Sequence, residues 1–397
     1  SQRPLSPQIS PQTPPPFPVS LMETTFEAVA NESNEPAEPI FCDEVYPNRV
    51  YFTIVGTVIA VIGCLSNLVL LFVFLTRRRS SWSLYLTFLA LLDFLLCFIY
   101  VTSFGLLTFS ISYRIRPIYD LLKEIEVHQY SLSRIVQVCI PYVLIASSAE
   151  KLGDIGGFPN FGRGYGSSVC VCGFIAILWT ALRVPGFYAI TVAELPGCDY
   201  FESKSLVRTE LADDEMYKTF DIVVSFFHLF VSFIVLFLLN GLIVHRLRIS
   251  HRNARRHSSC PTVVLSTTKQ VAITDEKKEH KRLRCAIKTT TVVLSSYLAC
   301  NSVNFILYTF EVFIVDFIKE NDWDFSFAYI AFSDIGTILF VLSSAIRLFI
   351  YYKYNPDVKA ALKTIDVCGL NKASKTTYEA AASSLPQDLS HVQPSNV

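Results

Sequence analysis

The chain has 397 residues, with 34 basic side chains balancing 34 acidic ones, and 51% of it is hydrophobic against only 17% charged. Soluble domains carry about a quarter charged residues, so this composition, with a mean hydropathy of +0.40, excludes an ordinary soluble protein and points to a membrane. No nucleic-acid partner and no cofactor is expected.

Residues 1–48 are expected to be disordered. Seven of the first twenty are proline, which suits an extended segment and not a packed domain. Asn31-Glu32-Ser33 is a glycosylation sequon, usable only if this segment is extracellular, and an unused sequon is an equal reading. Seven stretches then approach the ~20 apolar residues that cross a bilayer. Tyr51 to Thr76 carries no charge. Ser83 to Leu107 holds one acid, Asp93. Tyr130 to Leu152 is weaker, because it contains Arg134 and Pro141 and ends in Glu150 and Lys151. The fourth runs from about Ser168 to Val192 with Arg183 and Pro185 near one end, the fifth from Lys218 to His245, the sixth from Ala286 to Ile314, and the seventh from Phe325 to Tyr352 with Arg347 inside it. The runs are apolar all round instead of alternating, which excludes a closed barrel. The predicted fold is therefore all-α: a seven-transmembrane helix bundle over residues 49–353. A short amphipathic membrane-surface helix follows over 354–366, and a disordered tail over 367–397.

Lysine and arginine set the orientation. With the C-terminus inside, the inner connections hold Arg77, Arg78 and Arg79, then Lys151 and Arg163, then a dense run from Arg246 to Lys288, and more from Lys353 onward. The outer connections hold far fewer, so the N-terminus is expected to be extracellular and the chain a multi-pass protein of the plasma membrane. The tail is rich in hydroxyls, including Ser374, Thr376, Thr377, Ser383 and Ser384. Phosphorylation in the cytoplasm or a plain linker both account for them.

Asn67 in the first span, Asp93 in "LALLDFLLC", Trp179 in the fourth and Tyr351 at the end of the seventh resemble the rhodopsin-like G-protein-coupled receptors over about Arg49 to Leu362. The phrases "VPGFYAITVAELPGCDYF", "FLLNGLIVHRLR", "LACNSVNFILYTFE" and "SSAIRLFIYY" are similar to invertebrate FMRFamide-type neuropeptide receptors. The resemblance implies a short amidated peptide ligand ending in Arg-Phe, a heterotrimeric G protein, and arrestin as a further partner. Glu150, Lys151, Tyr351, Arg282 and Arg284 match the positions that would engage the G protein.

Departures from the family pattern are as informative. Glu150-Lys151-Leu152 stands where relatives have Asp/Glu-Arg-Tyr, and lysine lacks the planar five-donor fork of arginine. The sixth span has Cys300-Asn301-Ser302-Val303 in place of Cys-Trp-x-Pro. Arg347-Leu348-Phe349-Ile350-Tyr351 replaces Asn-Pro-x-x-Tyr. Spans five to seven contain no proline, so the usual cause of a sharp kink is missing from each. Cys198 resembles the loop cysteine that relatives tie to the third span. The matching third-span position is near Glu126, which leaves Cys42 as the simplest partner; free or differently paired thiols are the alternative.

Acidic residues crowd the outer segments and would attract a cationic ligand, although solvated loops carry charge in any case. Glu311, one or two turns above Tyr308, is the sharpest candidate for a ligand guanidinium, by a charge-assisted pair. Asp334 is the second, and either acid has Arg183 or Arg134 as an internal alternative. By the resemblance, Arg347 occupies a place where relatives keep an asparagine beside a sodium-holding aspartate. An unpaired arginine in a bilayer is costly, so an Asp93 to Arg347 ion pair is expected, with Asn67 hydrogen-bonded nearby. Snorkelling toward the headgroups is the competing reading. No metal-ligand spacing, phosphate loop or catalytic constellation stands out, so no enzyme is expected. A chemosensory receptor for small molecules, and less favourably a transporter, are the alternatives to a peptide receptor.

Overall fold

The computed structural model describes residues 47–76, 81–156, 165–257, 267–318, 323–356 and 358–363, with side chains excluded at 47–48, 81–82, 154–156, 247, 250–257, 267–284, 311–318 and 323–330. Seven helical stretches within them are long and apolar enough to cross a membrane. The first is α1 (Pro47–Thr76). Its buried stripe reads Ala60, Asn67, Leu70 and Phe74, one face at helical spacing, while Ile54, Val58, Leu65 and Phe72 are exposed. That is the membrane version of amphipathicity: the small Ala60 and polar Asn67 face the bundle beside Leu70 and Phe74, while the exposed residues over 54–75 are apolar throughout.

The second span is irregular. α2 (Ser81–Tyr100) passes through a π-helical turn at Val101–Leu106 into α3 (Leu107–Ser112). The hydroxyl of Thr102 donates back to the carbonyls of Phe98 and Ile99, at 3.1 and 3.0 Å, just where the ladder changes. Such back-bonding competes with regular helix geometry. The third span is α4 (Arg116–Gly156), 41 residues long. At 1.5 Å per residue that is about 60 Å, twice the hydrocarbon thickness, so α4 projects beyond the bilayer. The expected start at Tyr130 counted only the apolar part. The extra turns are held by packing outside the hydrocarbon: Tyr119 is fully buried against Tyr200 and Phe201, with ring centroids 6.0 and 5.3 Å apart.

α5 (Tyr165–Tyr188) is the fourth span, and it stops short of the expected Val192. Pro185 and Gly186 weaken its last turn, and the β-branched stretch after it forms β1 (Ile190–Glu194), antiparallel to β2 (Lys204–Arg208) with Ile190 opposite Arg208 and Glu194 opposite Lys204. Sequence reading did not anticipate this hairpin. α6 (Glu210–Asp213) and α7 (Glu215–Phe226) follow, and Asp214 caps α7 by accepting from the Met216 amide at 3.5 Å. A second π-helical turn, Phe227–Val231, joins α7 to α8 (Ser232–His257), and together they make the fifth span.

α9 (Thr267–Ile318) carries the sixth span and runs as unbroken α-helix through Asn301–Asn304. α10 (Trp323–Ala345) and α11 (Arg347–Tyr354) make the seventh, separated by a turn at Ile346. The amides of Ile346 and Ile350 still bond four residues back, to Leu342 at 3.0 Å and to Ile346 at 3.1 Å. A last helical stretch, 358–363, starts at Asn355, whose side-chain oxygen accepts from the Val358 amide at 3.3 Å. Val358 is fully buried while Lys359 lies over the Tyr352 ring, so this stretch presents one face to the bundle.

The third span is central, touching α2, α5, α8 and α9, while α10 closes the ring against α1, α2 and α9. Close approach depends on glycine at two places. A Cβ on Gly63 would lie 2.5 Å from the buried Cys97 sulfur and 3.3 Å from the Ala345 Cβ. Gly336 lets Asn304 donate to its carbonyl at 3.2 Å. Gly63→Ala should therefore push the first, second and seventh spans apart and lower the thermal midpoint, at a cost of about 1–3 kcal/mol for overpacking. Gly173→Ala, with nothing within 4 Å of the added carbon, should be neutral or slightly stabilising. A Gly63→Ala protein that melts with wild type would refute the close-packing account.

Candidate functional site

The deepest polar group ties the second span to the seventh. Asp93 is fully buried and Arg347 is 1% exposed. Arg347 donates through Nη1 to Asp93 Oδ2, and Ser344 Oγ donates to the other carboxylate oxygen at 2.8 Å. Asn67 is hydrogen-bonded beside the pair, to the backbone of Ser344. Its amide nitrogen donates to the carbonyls of Gly63 at 2.9 Å and Ser344 at 3.3 Å, which fixes the first span to the backbone that carries Ser344. The turn at Ile346 lies between Ser344 and Arg347, so both polar side chains of the seventh span converge on one carboxylate across the helix irregularity. Below them the buried Tyr351 ring stands edge-on to Phe74, with centroids 5.6 Å apart.

A second charged group lies toward the end of the bundle that carries the hairpin, between the third, fourth and fifth spans. Arg183 Nη1 donates to Asp221 Oδ1 at 2.7 Å, and Arg134 Nη2 lies 3.8 Å from the other oxygen. Arg183 Nη2 reaches Ser225 at 3.4 Å. Arg134, Arg183 and Asp221, with Tyr130, Ser131 and Tyr217, line a cavity of about 50 Å³ covered by the hairpin at Ile190. His228 is buried one to two turns below, in the π-helical turn, 6.5 Å from Trp179.

The hairpin is held over this cavity by charge. Lys204 donates to Asp120 Oδ1 at 2.9 Å and the Tyr200 hydroxyl donates to Asp120 Oδ2 at 2.7 Å. These bonds raise both the Lys204 ammonium and the Tyr200 phenol above their ordinary pKa values. Cys198, in the loop between the strands, is disulfide-bonded, and the seven other described cysteines are free. Cys42 and Asn31 lie outside the described residues.

Sequence reasoning and geometry part company over the acids. Asp334 does not satisfy Arg183 or Arg134. It pairs with Arg49 at 3.6 Å, in a separate recess formed by the first, second and seventh spans. Asp221, which sequence reading passed over, serves both arginines instead. Its signal was available, an acid inside the apolar "FDIVVSFF" opposite the outer end of the fourth span, and the partner rule applied to Arg347 would have found it. Tyr308 is buried, its hydroxyl 3.4 Å from the Ile222 carbonyl and its ring 5.9 Å from Phe230. The Glu311, Arg282 and Arg284 side chains lie outside the described set. Near the end of α4, Lys151 is buried and Glu150 half-buried, while near its start Glu126 pairs with Lys123 at 3.1 Å.

The Asp93–Arg347 pair should behave as one unit. Asp93→Asn or Arg347→Leu alone leaves a buried charge without its partner, a loss on the order of 3–5 kcal/mol, read as reduced surface expression and a lower melting temperature. The double substitution should recover part of that loss. A double mutant no better than the sum of the singles would show that the two charges are independent.

No protein-family model matches the chain, and no curated protein matches it. Among solved structures the crystal structure of squid rhodopsin aligns over 81% of this chain and 82% of its own, with a TM-score of 0.57 at 13% identity. At that identity the likeness is one of fold: the chain is a multi-pass, seven-helix bundle arranged as in squid rhodopsin.

Proposed function

We propose that the protein is a G-protein-coupled receptor of the plasma membrane, with its N-terminus outside, that responds to a short basic peptide of the amidated Arg-Phe type. The observation that carries the reading is a charged, buried cavity at the outer end of a bundle arranged like squid rhodopsin, covered by a hairpin that Asp120 and a disulfide hold in place. An enzyme or transporter would need chemistry or a pathway through the bundle; a covered outer cavity suits a ligand whose occupancy changes how helices pack.

The outer surface supports a cationic ligand. Glu194, Asp199, Glu210, Asp213, Asp214 and Glu215 are all exposed around the hairpin and the start of the fifth span; Asp199, Asp213 and Glu215 pair with Arg114, Arg208 and Lys218 at 3.4, 3.8 and 3.5 Å, and Glu194, Glu210 and Asp214 add acidic charge beyond those pairs. Charge of one sign around an opening raises the local concentration of the opposite sign. In this reading Glu311 receives the ligand guanidinium, with Tyr308 below it, and Cys42 closes the N-terminal segment onto Cys198, with Asn31 glycosylated. At the inner end Glu150, Lys151, Tyr351, Arg282 and Arg284 form the G-protein surface, and the hydroxyl-rich tail recruits arrestin.

A library of short amidated peptides, applied to cells expressing the protein and read by calcium and cAMP, tests the reading directly. Arg-containing members should be the active ones. Glu311→Gln should weaken them by about 1–3 kcal/mol, the scale of a hydrogen bond to a charged group, with surface expression unchanged. Equal potency at the Gln variant would remove Glu311 from the site, and a library without active members would sink the peptide assignment.

A further inference from the structure

We infer that the cavity between the third, fourth and fifth spans receives a carboxylate, bound on the Nε edge of Arg183 with Ser131 as a second donor. The inference deepens the receptor reading and rests on it for the source of the carboxylate, the ligand itself.

Arg183 is 6% exposed, deep in a region with little access to water. Its Nη1 and Nη2 are used by Asp221 and Ser225, at 2.7 and 3.4 Å. Its Nε, a donor that cannot be deprotonated at physiological pH, has no hydrogen-bond partner among the described residues. The Ser131 hydroxyl, on a residue 9% exposed, has none either. Both residues line the same cavity. Buried polar groups are almost always satisfied, and an unmet one asks for an explanation.

Ligand chemistry follows from what the cavity already contains. An apolar group would cover the two donors and leave them unmet, at the full desolvation cost. A cation would meet the guanidiniums of Arg134 and Arg183, and Asp221 is already turned toward both. A carboxylate brings two acceptor oxygens and a compensating charge, and its planar geometry matches the Nε–Nη2 edge of a guanidinium. At about 50 Å³ the cavity has room for such a group and little more. The peptide would then be bipolar, with its basic residue toward the acidic rim and its carboxylate under the hairpin. Two sources share this chemistry: an acidic side chain of an amidated peptide, as the receptor reading requires, or the free C-terminus of a non-amidated one, which would replace the amidated assignment.

The test uses full-length protein in lipid nanodiscs and needs no agonist. Thermal unfolding is followed against N-acetylglycine, a C-terminal carboxylate, against N-acetylisoglutamine, a side-chain carboxylate on an amidated backbone, and against the uncharged N-acetylglycinamide, all at matched ionic strength. Either acid or both should raise the melting temperature saturably, by linkage to the folded state, and the amide should not; the acid with the lower half-saturating concentration identifies the source. Arg183→Gln should abolish the shift. Because that variant also strips a partner from Asp221, Ser131→Ala is measured beside it and should raise the half-saturating concentration roughly five-fold, the loss of one hydrogen bond. Equal shifts for acid and amide, no shift for either acid, or an unchanged curve at Ser131→Ala would each overturn the carboxylate site. A peptide screen without hits would sink the peptide reading alone, so the two failures are distinguishable.

Discussion

Charge inside a bilayer has to be answered by charge, and most of what is specific about this molecule follows from that constraint. Three arginines lie within the spans. Arg347 is met by Asp93 and sits 1% exposed in the middle of the bundle; Arg134 and Arg183 both reach Asp221 near its outer end. Each answer joins different helices, the second to the seventh in one case and the third and fourth to the fifth in the other. The ion pairs therefore select which spans are neighbours, a role that apolar side chains, equally content against lipid, cannot fill.

The inner pair also accounts for the local backbone. Two side chains three residues apart, Ser344 and Arg347, have to reach the same carboxylate, and the seventh helix breaks at Ile346 between them. Small residues bring the partners within range: Gly63 sits against Cys97 and Ala345, and Asn67 reaches across to the Ser344 carbonyl. Removing either charge would leave a site too tightly built to admit water freely, which is why the pair is worth more than its surface equivalent.

Much of the fold was legible because the bilayer imposes a strong one-dimensional signal: apolar length. The seven spans, the single acid in the second and the arginine in the seventh could be read from that signal, and so could the depth match between Asp93 and Arg347. What escaped was whatever the bilayer does not dictate. α4 continues outward from Tyr130 to Arg116 because Tyr119 packs on Tyr200 and Phe201, a tertiary contact with no hydropathy signature. The hairpin from Ile190 to Arg208 follows from β-branched residues in a loop too short to stand out. Asp334, read as a ligand-facing acid with Arg183 or Arg134 as internal alternatives, pairs with Arg49, because acids and bases near the ends of spans have several partners at similar depth and only packing chooses among them.

The same distinction bears on where this bundle bends. Proline is absent from the last three spans, and the sixth is unbroken α-helix through Asn301–Asn304. Irregularity is instead written by hydroxyls and by charge. Thr102 bonds back to carbonyls at the π-helical turn of the second span, Ser232 donates to the His228 carbonyl at that of the fifth, and Arg347 follows the break in the seventh. A π-helical turn shifts the register of every side chain beyond it and is reversible by moving one residue, whereas a proline kink is permanent. The irregular turns therefore fall in the second, fifth and seventh spans: two of these carry the Asp93–Arg347 pair, and the fifth carries Asp221 one to two turns from its π-helical turn.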